Sequence, residues 1–250
     1  MLGIKDAFKR IYSPGENTFI KHTILFVLTG ITSIFSVVLN EYSKQQSIDT
    51  INWIWAMVGV LFLIGITIYL IGYNLTLMHN SFDEFKNDIV PEIDKSHFSV
   101  FGKAFPLIFA WFSYGILFYI AGLLVTLALG INFINVIAGS ILVAIGVIGI
   151  FLQFVYVKFA KNFERKGLYS IALPIKYIQP TVLALFKLWI KFIPLLILNI
   201  ILSFFAEGHN VFAYIFTAIS GYVSFISGFI YSFCLVQIFK EKIEPLEQSN

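Results

Sequence analysis

Apolar residues in this chain fall in long, nearly unbroken runs, at 23–40, 53–75, 105–129, 133–157, 182–206 and 211–239. A helix needs about 20 largely apolar residues to cross a hydrocarbon core about 30 Å thick. Five runs meet that length, and 23–40 sits at its edge. A membrane strand would instead alternate polar and apolar positions, and no such alternation is present. Helices are then the only way to satisfy the backbone in lipid. The pattern predicts an all-α integral membrane bundle of about six transmembrane helices. Within the first run Thr29, Ser33, Ser36 and Asn40 share one helical face, because steps of four, three and four follow the helix period.

The polar stretches between the runs divide by length. Residues 40–52 and 76–103 form polar loops, the second with Pro91. Gly130-Ile131-Asn132 is a tight turn, and Glu207-Gly208-His209-Asn210 carries the Gly and Asn that suit a helix stop. Lys158–Gln179 is a basic loop, and Pro180 is expected to block any helix from running through it into the fifth span. Short turns make antiparallel neighbours of spans three and four, and of five and six. Residues 1–22 form an N-terminal segment and 240–250 a tail. In the segment, Ile4, Phe8 and Ile11 share a face while Lys5, Lys9 and Arg10 lie elsewhere. That pattern fits either a short interfacial helix or a solvated arm.

Composition agrees: 58% of residues are hydrophobic, 12% are charged, and mean hydropathy is +0.86. A soluble domain carries about a quarter charged residues. The net charge of +3 does not suggest nucleic acid, but its distribution sets an orientation. With six spans, sixteen of the 17 basic residues fall on one side and only Lys44 on the other. The positive-inside rule then makes both termini cytoplasmic, in a multi-pass protein of a prokaryotic cell membrane. The first run ends Val38-Leu39-Asn40-Glu41, which is no signal cleavage site. Cys234, the single cysteine, precludes an internal disulfide.

Three ordered segments resemble the prokaryotic membrane family catalogued as domain of unknown function 4013. The first is Gly3-Ile-Lys-Asp-Ala-Phe-Lys9 with Phe19-Ile-Lys21. The second is Gly72-Tyr73 leading to His79-Asn80, then Val90-Pro-Glu-Ile-Asp94 and Phe101-Gly-Lys103. The third is Phe163-Glu-Arg-Lys-Gly-Leu-Tyr-Ser-Ile-Ala172. The resemblance implies a polytopic membrane protein and supplies no activity. Lys103-Ala-Phe-Pro106-Leu-Ile and Lys191-Phe-Ile-Pro194-Leu-Leu are also alike, which hints at a duplicated hairpin.

Catalytic chemistry is not legible. All 14 acids, and His22, His79, His97 and His209, are expected in tails or loops, whereas membrane enzymes and proton pumps keep ionisable groups at depth. No phosphate loop, metal helix or serine elbow is present, so no catalytic, metal or cofactor residue is assigned and a non-enzyme is expected. Lys187 and Lys191, four apart in the fifth span, read either as an interfacial anion site or as snorkelling side chains. Ser220, Ser224, Gly228 and Ser232 form a ladder with a step of four. It reads as a helix-packing face or as the wall of a solute path, as do Thr29, Ser33, Ser36 and Asn40. Asn74-Leu75-Thr76 fits a glycosylation acceptor at the cytoplasmic end of span two, where it would not be used. The loop at 76–104, with a balance of −2, and the loop at 158–180, with +4, read either as attracted to one another or as a solvated acidic loop beside a basic one that meets anionic lipid. Three functions stay open: a scaffold, accessory subunit or envelope factor acting through a protein partner or homo-oligomer, a permease-like carrier of a small or lipidic solute, and, behind these, a lipid-modifying enzyme using loop residues. The first two need the lipid bilayer, and neither needs a cofactor.

Overall fold

The computed structural model describes residues 4–13, 17–44, 50–84, 86, 89–91, 97–128, 152–166, 168–170, 172–206 and 210–248. These form α1 (Ile4–Ile11), α2 (Thr18–Lys44), α3 (Thr50–Phe82), α4 (His97–Ala128), α5 (Gln153–Asn162), α6 (Ala172–Phe205), α7 (Val211–Lys242) and α8 (Glu244–Gln248). The protein is all-helical, with no strand among the described residues. Five segments are long and apolar enough to cross a membrane: Thr18–Leu39, Ala56–Phe82, Ser99–Leu124, Ala172–Phe205 and Val211–Lys242. Most of the run expected at 133–157 lies outside the described residues. So do the turns at 130–132 and 207–209, and with them His209. Only the end of that run is described, and there α5 continues to Asn162.

Several polar stretches expected as loops are helical. α3 runs past Leu75 to Phe82, which places His79 and Asn80 inside it. Leu75, Leu77, Met78 and Ser81 of these extra turns are buried, so packing prolongs the helix where the apolar run has already faded. His22 is likewise helical, in α2, and α4 begins at His97.

Pro180 does not block the fifth helix; it lies inside α6, eight residues after Ala172. Proline deletes one backbone bond and crowds the carbonyl four residues earlier. Here the turn around it is anchored by neighbours. Tyr177 and Thr181 are buried, and the Thr181 hydroxyl donates to the Tyr177 carbonyl at 2.5 Å. Tyr177 also packs its ring edge-on to Phe239 of α7, 6.1 Å between centroids.

α7 is the hub, packing against α1, α2, α3, α5, α6 and α8. In its apolar window 61% of residues are buried, against 6% for α6 and 17–18% for the other three spans. Every residue from Ser232 to Phe239 is buried. The core therefore sits around the C-terminal half of α7. α3 pairs closely with α4, because a Cβ on Gly72 would collide with the Val100 carbonyl oxygen. α1 lies against α7 with Ala7 and Ile11 buried while Phe8 stays exposed, so its packed face is Ile4-Ala7-Ile11 rather than Ile4-Phe8-Ile11.

Polar contacts gather α1, the α3–α4 connection, the end of α5 and α8 at one end of the bundle. Arg10 donates to the carbonyls of Asp83, at 2.7 Å, and Lys86. Lys240 bonds Glu84 at 2.8 Å and the Phe82 carbonyl at 3.0 Å. Lys158 pairs with Glu247 at 2.5 Å, and Lys161 pairs with Glu244. His79 Nδ1 donates to the carbonyls that end α5, Ala160 at 3.0 Å and Lys161 at 2.9 Å.

The ion pairs described at this end join each of the 76–104 and 158–180 stretches to other partners, while His79 of the first reaches the Ala160 and Lys161 carbonyls of the second. Among the described residues the acidic connection pairs with Lys240, and the basic stretch pairs with the C-terminal acids. Asp88, Glu92 and Asp94 lie outside the described residues. α8 follows directly on α7, which brings Glu244 and Glu247 to the end of α5.

Candidate functional site

A groove of about 590 Å³ opens between α2, α6 and α7, with Leu70 of α3 at its edge. That lies within the range of about 300–1,000 Å³ usual for ligand sites. Thr29, Thr32 and Ser33 of α2 face Thr217, Ser220, Gly221 and Ser224 of α7, and Ser203 adds to the wall from α6. Each set repeats at three to four residues, so each helix presents one polar edge. The helices can close on one another because small residues meet: a Cβ on Gly221 would collide with the Ser33 hydroxyl, and one on Gly30 would lie 3.1 Å from Ala218 Cβ.

The hydroxyl hydrogens are mostly committed to the helices that carry them. Thr29 donates to Leu25 O at 2.7 Å, Thr32 to Leu28 O at 2.6 Å, Thr217 to Ala213 O at 2.8 Å and Ser203 to Asn199 O at 2.9 Å. What such hydroxyls leave over is acceptor lone pairs. Ser224 donates to Asn199 Oδ1 at 2.9 Å and so joins α7 to α6. Val37, Leu70 and Phe225 supply apolar wall. The lining is thus neutral, hydrogen-bond accepting and partly greasy. Such a wall suits an uncharged amphiphile that carries a donor.

An aromatic layer lies beneath the groove, toward the ionic end. Phe225 packs on Phe229 with centroids 4.4 Å apart, and Phe229 stacks on Tyr73 at 5.8 Å. Tyr222 meets Phe26 edge-on at 5.5 Å. His22 Nε2 donates to the Ile11 carbonyl at 3.2 Å, so Nδ1 of the neutral ring accepts from the Tyr222 hydroxyl at 2.9 Å. Tyr12 stacks over that imidazole at 4.5 Å.

The expected ladder divides among several surroundings. Ser220 lines the groove, Ser224 lines it and bonds α6, Ser232 is buried in the core, and Gly228 is exposed. Among the described residues nothing lies within 4 Å of where a Gly228 Cβ would sit. A step of four overshoots one turn by about 40°, so three steps swing about 120° around the helix. One stripe cannot keep facing one neighbour through that rotation. The contact face instead uses Ala218 and Gly221, with Thr217 beside them.

On α2, Thr29 and Ser33 reach the groove, while Ser36 is exposed and donates to Thr32 O at 2.8 Å. The Asn40 side chain lies outside the described residues. Lys187 and Lys191 are exposed on α6, and neither lines the groove. Thr32, Thr217, Gly221, Ser203 and Asn199 were not singled out from sequence. The spacing of Thr217 and Gly221 from Ser224 was the available signal.

Electrostatic character concentrates at the ionic end. Burial pulls the Arg10 guanidinium below its usual value, against the raising fields of Asp83 and Glu84. The hydrogen bond from Lys240 holds the exposed Glu84 carboxyl below the ordinary carboxylate range. Burial raises the Glu247 carboxyl, but hydrogen bonds from Lys158 and Tyr177 outweigh it and lower the net value. No cluster of three potential metal-ligating side chains occurs among the described residues. In comparisons with known proteins the chain matches no family model, no curated protein and no solved structure.

Proposed function

We propose that this chain is a six-span protein of a prokaryotic cell membrane, with both termini cytoplasmic, that binds and carries an uncharged amphiphilic solute without chemical turnover. The hydroxyl-lined groove between α2, α6 and α7 carries this reading. It supports the permease-like reading over pure scaffolding, because two polar helix edges that pack on one another at Gly30 and Gly221 also line shared open space at Thr32, Ser220 and Ser224. The aromatic layer beneath gives the groove a floor, as expected of a carrier in one of its states. The resemblance to the family of domain of unknown function 4013 belongs to the same proposal and rests on the three ordered segments.

The topology is supported by the meeting of α1, the α3–α4 connection and α8 at one end, which an even number of crossings before each requires. It is supported further by the sixteen basic residues that six spans place on that side. Assembly with a protein partner or a second copy is the alternative. Its support is α6, whose exposed apolar face includes Leu183, Phe186, Ile190 and Leu196.

Native mass spectrometry of the protein released from mild detergent tests the choice. A bound neutral amphiphile is expected, and Ser220→Leu, which fills the groove, should abolish it while the protein still folds. A stoichiometric protein partner with no small molecule would refute carriage in favour of assembly. A reporter fused at position 90 and found outside would refute the topology.

A further inference from the structure

A second cavity, of about 180 Å³, lies between α3, α4 and α5, away from the groove. Its wall is mostly apolar, with Ile71, Leu75, Met78 and Leu107 among the lining and Trp111 at one side. Two of its lining residues break that character. Asn74 Oδ1 and Tyr156 OH are buried, and neither has a hydrogen-bond partner among the described residues. The Tyr114 hydroxyl on α4 is a third buried, unpaired group. Asn74 lies eight residues before Phe82, the end of α3, or about 12 Å along the helix axis. A buried polar group left without a hydrogen bond costs several kcal/mol, so two on one small wall require an explanation.

We propose that this cavity binds a neutral, one-ring hydroxylated group. A cavity of about 150 Å³ lined only by aliphatic and aromatic side chains admits benzene, so the volume here suits one ring. A ring hydroxyl donates to Asn74 Oδ1 and accepts from the Tyr156 hydroxyl, which satisfies both orphaned atoms at once. The ring itself lies among Leu75, Leu107 and Trp111, which already packs near Tyr156 with centroids 6.1 Å apart. No charged side chain lines the cavity, which disfavours an ionised ligand. The same chemistry is offered by a free phenol-sized molecule and by the ring head of an alkylated hydroquinone lipid. Nothing in the site depends on the groove reading, so the two fail separately.

Saturation-transfer NMR on the full chain in lipid nanodiscs tests this with three probes: phenol, toluene and decylhydroquinone. Because all three partition into lipid, the readout is the difference between the parent protein and its variants. Phenol should show transfer that toluene lacks. Tyr156→Phe, which keeps the ring and the packing, and Asn74→Leu, which keeps the branched shape and removes the acceptor, should each weaken phenol binding about tenfold, the equivalent of one buried hydrogen bond. Competition of decylhydroquinone with phenol would place the source in a membrane lipid, and failure to compete would place it in a free small molecule. Equal transfer to toluene, no transfer to phenol, or phenol binding indifferent to both substitutions would overturn the proposal.

Discussion

Gly72→Ala isolates the contact that sets the spacing of α3 and α4. The added methyl would meet the Val100 carbonyl oxygen in collision, the carbonyl carbon at 2.7 Å and Val100 Cγ1 at 3.0 Å. Two of these three atoms are backbone, so rotation of a side chain cannot relieve them and the helices must separate. Overpacking of this kind costs about 1–3 kcal/mol. Replacing glycine by alanine in a helix returns about 0.5–1 kcal/mol, so a net loss of up to about 2.5 kcal/mol is expected.

Gly228→Ala provides the control, since its methyl would meet nothing within 4 Å among the described residues, which leaves the helical gain. The two variants should then differ by about 1–3 kcal/mol. In a chain of this size that separates their melting temperatures by about 2–12 °C, read by thermal unfolding in one detergent. Gly228→Leu, which a contact at that position would make disruptive, should melt close to the parent. Coincident melting of Gly72→Ala and Gly228→Ala would refute the close approach of α3 to α4.

At the ionic end, Lys161→Glu should lower thermal stability by about 1 kcal/mol or less, because the pair is partly exposed. Glu244→Lys in the same molecule should restore most of the loss; no restoration by the swap would separate α8 from α5. Glu247 sets a pH dependence whose sign follows from its lowered carboxyl. Its stabilisation is present above the ordinary carboxylate value of about 4.3 and is lost as pH falls through the lower folded value. Melting curves from about pH 7 to pH 3 should therefore fall more steeply for the parent than for Glu247→Gln, and parallel curves would exclude the contribution.

Sequence reveals the spans because a run of apolar residues is a property of the chain alone. Their ends depend on partners, which sequence does not display. α3 continues through His79 and Asn80 because Leu77 and Ser81 find buried surroundings, and α6 continues through Pro180 because Tyr177 and Thr181 do. The groove was half legible for a related reason. Thr29, Ser33, Ser220 and Ser224 could be grouped by spacing, but which neighbour each stripe faces depends on the rotation of one helix against the next. The drift of a four-residue ladder then carried Gly228 away from the contact and Ser232 into the core. The Glu244 and Glu247 pairings were hidden more deeply, since the tail reads as solvated chain until α7 delivers it to α5.

The feature that best separates interior from lipid-facing helices here runs against soluble-protein intuition. α7 has the lowest mean hydropathy of the five spanning segments, 1.7, yet is the most buried, whereas α6 reaches 2.2 with 6% buried. In water the most apolar element seeks the core, but lipid is as apolar as leucine and exerts no such preference. What selects the centre of a membrane bundle is the capacity for close approach and internal hydrogen bonding. α7 supplies close approach to α2 through Gly221 and Ala218, and buries Ile226, Phe229, Ile230 and residues 232–239 in its C-terminal half. The groove lies where these two kinds of helix meet: α7 brings polar edges, α6 brings Asn199 and Ser203 on an otherwise lipid-like rod, and α2 closes the third side.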